Sequence, residues 1–154
     1  MDDIRKANYE SCRSLALAYE RSAPHSAKML REKLKRKGFE DAEIEAVFNE
    51  MRRAGVLDEE RMLRSYASYL ADRKFFGKLR IRTELSRKFD REVVSEFFES
   101  AIEDTDFKEN ARILAEKYGK RGGGKPPEAI ARYLSSHGYA ANEIAFALKN
   151  QSAD

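Results

Sequence analysis

LKRKGF at residues 34–39 and LSSHGY at residues 134–139 are two versions of one hexapeptide, placed 100 residues apart. Each begins with a leucine and ends with a glycine followed by an aromatic residue. Glycine accepts the positive φ that commonly ends a helix at position C′, so each copy predicts a helix that stops at its glycine. Apolar residues at helical spacing follow, with Ile44, Val47 and Phe48 after the first copy. The pattern predicts a helix, a short turn and a second helix, twice.

An apolar stripe occurs three times along the chain. Its members stand at positions i, i+3, i+4 and i+7, which form one face of an amphipathic helix. The second copy begins 51 residues after the first, and the third begins 48 residues after the second. Such a stripe is buried only against a neighbouring helix, as in helical repeats. The copies are Cys12, Leu15, Ala16 and Tyr19; Leu63, Tyr66, Ala67 and Leu70; and Ala111, Leu114, Ala115 and Tyr118.

The middle of the chain holds an altered copy of the helix–turn–helix. LSRKF at 85–89 lacks the glycine, so a shorter turn is expected there. Asp58, Asp90 and Asp106 are candidate N-caps, and Asp106 with Glu109 has the spacing of a capping box. The fold class predicted is all-α, with three tandem three-helix repeats stacked into an elongated, curved array. The predicted repeats are 1–57 (with an N-terminal helix extension), 58–104, and 105–154 with a Gly-rich loop at 119–127.

The composition limits the possible classes of protein. The 154 residues are 42% hydrophobic and 37% charged, with a net charge of +3 and a mean hydropathy of −0.73. No apolar run approaches the roughly 18 residues of a membrane span, and the N-terminus lacks the layout of a secretory signal. Cys12 is the only cysteine, which excludes an internal disulfide and fits a reducing cytoplasm. Its thiol belongs to the first apolar stripe and is therefore expected in the core.

Residues 119–125, GKRGGGK, satisfy G-x-x-x-x-G-K, the first part of a phosphate-binding P-loop. Pro126 stands where that motif needs a hydroxyl for Mg²⁺, and the preceding segment has a helical pattern rather than that of a strand. We interpret the segment as a basic, flexible linker, with Pro127 in the first turn of the next helix. His25 and His137 lack a second metal ligand at helical spacing. We therefore predict no enzyme activity, no cofactor and no metal.

Basic residues recur near the second helix of each predicted repeat. Residues 28–37 hold six basic side chains against one acidic, and residues 73–88 hold seven against one. A third group lies at 117–125. A single cluster is most simply a solvated helix face, but recurrence in register favours an electrostatic binding surface that stacking aligns into a stripe. The candidate binding residues are Arg31, Lys35, Arg36, Lys37, Arg73, Lys74, Lys78, Arg80, Arg82, Arg87, Lys88, Lys120, Arg121 and Lys125.

Several segments of the sequence together resemble a known family. The chain resembles RecX, a family of bacterial regulators of the recombinase RecA, over residues 12–149, with the central repeat as its most specific part. Two features depart from the family pattern: the missing glycine after Lys88 and the Gly-rich insertion at 122–127. The matching residues are 34–39 with Ile44; GVLDE at 55–59; Arg64-Ser65-Tyr66, Arg73, Gly77, Arg80, Ile81, Glu84 and Leu85; and 134–139 with Ile144.

The resemblance implies a monomeric, cytoplasmic negative regulator. A RecX-like protein lodges in the helical groove of the RecA–DNA filament and restrains filament growth, ATP hydrolysis, strand exchange and the coprotease activity of the SOS response. Weak binding to single- and double-stranded DNA is expected, and no membrane association. The alternative left open is a helical-repeat protein that binds DNA directly through the same basic stripe.

Overall fold

The protein is all-helical. The computed structural model describes residues 3–152, and this part of the chain contains nine α-helices and no strand. The helices are α1 (Asp3–Ser22), α2 (Ala27–Arg36), α3 (Asp41–Arg53), α4 (Glu59–Asp72), α5 (Lys78–Lys88), α6 (Arg91–Ala101), α7 (Phe107–Gly119), α8 (Pro127–Ser136) and α9 (Ala141–Lys149). The all-α class and its three helical triplets are confirmed. No helix within residues 3–152 is long and apolar enough to cross a membrane.

The two hexapeptides end α2 and α8 as predicted. Gly38 has φ +95° and Gly138 has φ +93°. The amide of Phe39 donates to the carbonyl of Leu34 at 3.3 Å, and the amide of Tyr139 repeats this bond to Leu134 at 3.2 Å. This is the Schellman arrangement, which satisfies carbonyls that a helix end otherwise leaves unpaired. The central turn is shorter, because only residues 89–90 separate α5 from α6.

The helix starts are capped by short polar side chains. Asp58 accepts a hydrogen bond from the amide of Arg61, and Asp106 accepts one from the amide of Glu109, both at 3.1 Å, so two of the three predicted N-caps are confirmed. At α3 and α9 the carboxylates of Glu43 and Glu143 accept from the amides of residues 40 and 140, at 2.9 and 2.7 Å. Capping therefore repeats with the 100-residue offset. Pro127 occupies the first turn of α8, as expected.

The chain divides into two compact units. Unit 1 holds residues 3–62 and 88–93 of the described chain, and unit 2 holds 63–87 and 94–152. The core of unit 1 is built from the stripes of α1, α2 and α3, and Cys12, Leu34 and Phe48 are fully buried in it. In unit 2, Ala111, Leu134 and Ala147 are fully buried between α7, α8 and α9. The repeat boundaries at 57/58 and 104/105 stay predictions.

In unit 2 the segment before α5 packs on the turn between α8 and α9. The amide of Gly77 donates to the carbonyl of His137 at 2.6 Å, and the amide of Leu79 donates to that of Gly138 at 3.2 Å. The hydroxyl of Tyr139 donates to the carbonyl of Phe75 at 2.7 Å. Phe75 has φ +54°, a conformation that a non-glycine residue adopts rarely. These bonds fix where α5 begins and which of its faces is exposed.

Candidate binding surface

The second basic cluster, the cations of residues 73–88, is concentrated on α5 and the turn before it. Arg73 and Lys74 are exposed in that turn, and Arg82 is exposed on α5. The ammonium of Lys78 lies 3.3 Å from a carboxylate oxygen of Glu99 on α6, where both side chains are largely exposed. An exposed ion pair contributes little to stability and rearranges easily. The exposed cations of this cluster are therefore accessible to a partner.

Arg80 has a structural role besides its charge. Its guanidinium donates to the carbonyl of Ser136 at the end of α8, at 3.1 Å, and lies 4.3 Å from the ring centroid of Phe76. It also pairs with Glu84 at 3.3 Å, and Arg87 pairs with the same oxygen at 3.1 Å. A cation at a helix C-terminus interacts favourably with its unpaired carbonyls. Arg80 thus holds α5 to α8 as well as adding to the cluster.

A chain of rings and cations joins the second cluster to the third, which comprises Lys120, Arg121 and Lys125. Arg121 lies 5.6 Å from the ring of Tyr133, and that ring lies 4.3 Å from the ring of His137. The ring of His137 lies edge-on to the ring of Phe76, with 5.8 Å between the ring centroids. The guanidinium of Arg80 lies over the ring of Phe76. Cation–π and aromatic contacts of this kind each contribute about 0.5–1.5 kcal/mol. The structure therefore brings together two of the predicted clusters on unit 2.

The Gly-rich segment connects two helices. Arg121–Gly123 form one turn of 3₁₀ helix, and the amide of Lys125 donates to the carbonyl of Gly119 at 2.9 Å. Tyr118 and Tyr133 stack at 3.8 Å, and the ammonium of Lys125 lies 5.8 Å from the ring of Tyr118. A P-loop joins a strand to a helix. Here α7 precedes the segment, so its surroundings differ from those of a nucleotide site.

In unit 1 the cations near α2 divide into two kinds. Lys35, Arg36 and Lys37 are exposed at the end of the helix, and the ammonium of Lys35 lies 2.9 Å from Asp41. Arg31 is different, since its guanidinium donates to Asp90 at 3.0 Å and to Glu45 at 3.1 Å. Of the predicted site residues in this unit, the three at the helix end are the accessible ones.

Arg31 is held inside unit 1 rather than presented to solvent. Its side chain is 23% exposed and lies 5.5 Å from the ring of Phe48. Desolvation opposes the charged guanidinium, but hydrogen bonds and Coulombic attraction from Asp90 and Glu45 outweigh it and raise the pKa of Arg31. Lys88, also in unit 1, is partly buried, and its carbonyl accepts a hydrogen bond from Ser26. The contacts of Arg31 are those of a residue that stabilises the unit.

Three carboxylates of α3 are engaged in the fold. Glu43 caps α3 and Glu45 pairs with Arg31. Glu50 accepts from the hydroxyl of Tyr9 and, at 2.7 Å, from Arg13, and these two hydrogen bonds lower the pKa of Glu50. The partners of Glu45 and Glu50 lie on α2 and α1 and are remote in sequence, whereas Glu43 caps its own helix.

One buried polar side chain has contacts that helical spacing does not indicate. His25 is 4% exposed, with Nδ1 2.6 Å from the carbonyl of Ala23 and Nε2 2.7 Å from the ammonium of Lys33. Glu20 lies 3.7 Å from the same ring. No set of three histidine, cysteine or carboxylate side chains in 3–152 has the arrangement of a metal site. His25 is thus a structural residue between α1 and α2.

Tyrosines of α4 add an aromatic element to the surface of unit 2. Tyr66 and Tyr69 stack with their ring centroids 6.1 Å apart, and Tyr69 is 46% exposed. Phe75 is half-buried and lies under the ammonium of Lys117, at 4.7 Å. The surface of unit 2 therefore combines cations with partly exposed rings, which is chemistry that suits a binding surface.

The chain is similar to known proteins along nearly its whole length. Regulatory protein RecX of Vibrio parahaemolyticus is 33% identical over 153 residues, and the alignment covers 97% of both chains. The chain belongs to the RecX family. Regulatory protein RecX of Vibrio campbellii is 34% identical over 133 residues, with 84% of each chain covered. The family model described as the first three-helix domain of RecX matches residues 12–51, which contain the C-terminal half of α1, all of α2 and most of α3.

Solved RecX structures share the fold. The crystal structure of RecX from Lactobacillus salivarius superposes with a TM-score of 0.81 at 18% identity, covering 94% of this chain and 96% of that one. A second crystal structure of a regulatory protein RecX gives a TM-score of 0.81 at 17% identity, covering 97% and 80%. The helical-repeat organisation is therefore that of RecX proteins.

Proposed function

We propose that this protein is a negative regulator of the RecA recombinase that binds the RecA–DNA filament through its basic clusters. The observation that carries the proposal is membership of the RecX family along nearly the whole chain. The exposed cations of α5, of the end of α2 and of the Gly-rich segment support it independently. A nucleoprotein filament offers phosphate groups and acidic protein surface, and both attract such a face.

Binding alone is sufficient for this regulation. A protein that binds one arrangement of neighbouring recombinase subunits more tightly than another shifts the equilibrium between them by the difference in binding free energy. Strand exchange, ATP hydrolysis and coprotease activity would all fall when the inactive arrangement is favoured. No catalytic group is required, and the regulator acts as a cytoplasmic monomer.

The direct test is a recombinase assay with this protein added. RecA-dependent ATP hydrolysis and strand exchange on single-stranded DNA are expected to fall with protein concentration and to saturate. Neither activity should change when heat-denatured protein is added. Unchanged ATP hydrolysis and strand exchange at saturating native protein would reject the proposal.

Direct DNA coating is the alternative, since the same cations would also bind bare phosphate backbone. Salt titrations of binding to single-stranded DNA and to the RecA filament separate the two. Weak, steeply salt-dependent binding to DNA with tighter binding to the filament is expected. Equal affinity for bare DNA and filament would favour the coating protein instead.

An ATPase that uses residues 119–125 is the enzymatic alternative. The purified protein is expected to hydrolyse no ATP, and Lys125→Ala should leave that baseline unchanged. Intrinsic hydrolysis that disappears in Lys125→Ala would overturn the assignment of this segment as a basic connection.

A further inference from the structure

A line of uncharged side chains runs along the outward face of α5, and attraction between charges alone does not explain this line. Leu79, Thr83 and Ser86 stand at positions i, i+4 and i+7 and are exposed, so they form a strip along one face of the helix, hereafter the α5 strip. Leu79 is 64% exposed, which is unusual for a leucine in a folded protein and leaves its side chain available to a partner.

Cations border the α5 strip on both sides. Helical geometry places Lys78 and Arg82 along one edge and Arg80 and Arg87 along the other. The only carboxylate of α5, Glu84, is 16% exposed and lies between Arg80 and Arg87, which it holds in one row at 3.3 and 3.1 Å. The result is a neutral strip between two basic rows. About half of the circumference of α5 is open to solvent.

The α5 strip itself is small and able to accept hydrogen bonds. The hydroxyl of Thr83 donates to the carbonyl of Leu79 at 3.1 Å, and that of Ser86 donates to the carbonyl of Arg82 at 2.8 Å. With its proton used inside the helix, the exposed hydroxyl of Thr83 keeps an acceptor oxygen. In the major groove, adenine and cytosine present amino donors and thymine presents a methyl group, which suits the side chain of Leu79.

The width of α5 also matches the width of the major groove of DNA. An α-helix with its side chains is about 10–12 Å across, and the major groove of duplex DNA is about 12 Å wide with a phosphate chain on each side. We propose that α5 lies along the major groove of duplex DNA, with the strip of Leu79, Thr83 and Ser86 toward the base edges and one basic row on each phosphate chain. This deepens the proposed function, because it assigns duplex DNA as the partner of cations already placed in the binding surface.

A protein partner is the competing explanation, and the strip disfavours it. An acidic protein surface would attract both rows, but it would gain little from a line of hydroxyls with their protons already used. A buried protein contact is usually centred on large apolar or aromatic side chains. In the α5 strip only Leu79 is large and apolar. Two parallel rows of cations correspond better to two phosphate chains.

The experiment uses the full-length protein and a 16-base-pair duplex that contains both guanine and adenine, without RecA. Dimethyl sulfate methylates guanine N7 in the major groove and adenine N3 in the minor groove. At saturating protein, methylation of guanine N7 is expected to fall at least threefold, while methylation of adenine N3 stays unchanged. Protection of adenine N3 alone, or protection of neither site, would overturn the inference.

Variants test the strip and the rows separately. Thr83→Glu places a carboxylate on the strip and should weaken duplex binding at least tenfold and remove the guanine protection. Ala145→Glu makes the same charge change at an exposed position of α9 and should leave both unchanged. The double variant Arg82→Ala/Arg87→Ala removes one cation from each row and should reduce the slope of log affinity against log salt by about two. Circular dichroism checks that each variant is folded.

The outcomes separate this inference from the proposed function. Guanine protection that Thr83→Glu removes supports it whatever the recombinase assays show. A Thr83→Glu variant that binds the duplex like the wild type but no longer inhibits RecA would assign the strip to a protein partner and reject the inference. Inhibition of RecA by a wild-type protein that gives no guanine protection would also reject it, and would leave the proposed function intact.

Discussion

Gly77 and Gly138 approach each other so closely in unit 2 that neither position has room for a side chain. A Cβ atom on Gly77 would lie 2.4 Å from the carbonyl carbon of Gly138, and one on Gly138 would lie 2.4 Å from the backbone nitrogen of Arg80. Real Cβ atoms do not approach a backbone this closely. The start of α5 is thus held against the α8–α9 turn by two glycines, with the amide of Gly77 bonded to His137 at 2.6 Å.

Gly138→Ala is expected to destabilise the protein more than Gly38→Ala. Both glycines follow their helices at φ above +90°, but a Cβ on Gly38 would meet nothing within 4 Å. Gly38→Ala therefore costs only the backbone strain, about 1 kcal/mol. Gly138→Ala adds the displacement of α5, about 1–3 kcal/mol more. Urea unfolding followed by circular dichroism measures both.

Gly77→Ala checks the same contact from the other side. Gly77 has no positive φ, so a loss of stability similar to that of Gly138→Ala would come from the close approach alone. Equal midpoints for wild type, Gly77→Ala and Gly138→Ala would show that the two segments are not packed together.

Replacing Arg31 is expected to affect stability more than binding. Arg31→Ala leaves Asp90 partly buried without its guanidinium, so the urea midpoint should fall. A double-mutant cycle with Asp90→Asn should give a coupling free energy of about 1 kcal/mol or more. Arg36→Ala, on the exposed side of the same helix, is the matched control and should leave stability unchanged. A coupling near zero would show that the pair is not formed in solution.

Arg73→Ala/Arg82→Ala should weaken inhibition of the RecA ATPase without loss of stability, because both side chains are exposed. Each removed cation lowers affinity for a polyanionic partner. The control Arg61→Ala/Arg132→Ala removes two exposed arginines outside the basic clusters. Adding Arg80→Ala should also lower the unfolding midpoint, because its bond to Ser136 is lost. If both double variants inhibit like wild type, the second cluster is merely solvated.

High pH should destabilise unit 1 through Cys12. Burial, with a smaller contribution from the charge of Glu43, raises the pKa of the Cys12 thiol from 9.0 to about 11. The unfolded chain therefore loses this proton first, so the stabilisation is complete below pH 9 and declines by about 1.4 kcal/mol per pH unit up to pH 11. The difference in unfolding free energy between wild type and Cys12→Ala should shrink over this window. A constant difference would contradict the burial of this thiol.

Local patterns predicted most of the fold. The stripes beginning at Cys12, Leu63 and Ala111 lie on α1, α4 and α7, and the caps at Asp58 and Asp106 depend only on residues three positions away. The glycines that end α2 and α8, and the short turn between α5 and α6, are also determined by residues nearby in sequence. Each of these features is determined within one or two helical turns, so sequence spacing is sufficient to find it.

Long-range partners could not be predicted in this way. Arg31 belongs to a basic run in the sequence, but its partner Asp90 is 59 residues away. His25 has no second metal ligand at helical spacing. The sequence does not indicate that the ammonium of Lys33 lies against its ring. The exposed α5 strip required knowing that Ile81 and Leu85 are the buried side of that helix. A run of basic residues in the sequence therefore predicts too many accessible cations wherever an acid that is distant in sequence pairs with one of them.

The discontinuous make-up of unit 1 has a consequence for how this protein can be rebuilt. Residues 88–93, from the central repeat, complete a unit otherwise made of residues before 63, and the backbone passes between the units three times. Ser26 and Arg31 have partners at Lys88 and Asp90, so the first three helices are not an independent, interchangeable module. Swapping the first repeat between homologues therefore requires the transfer of two separate segments.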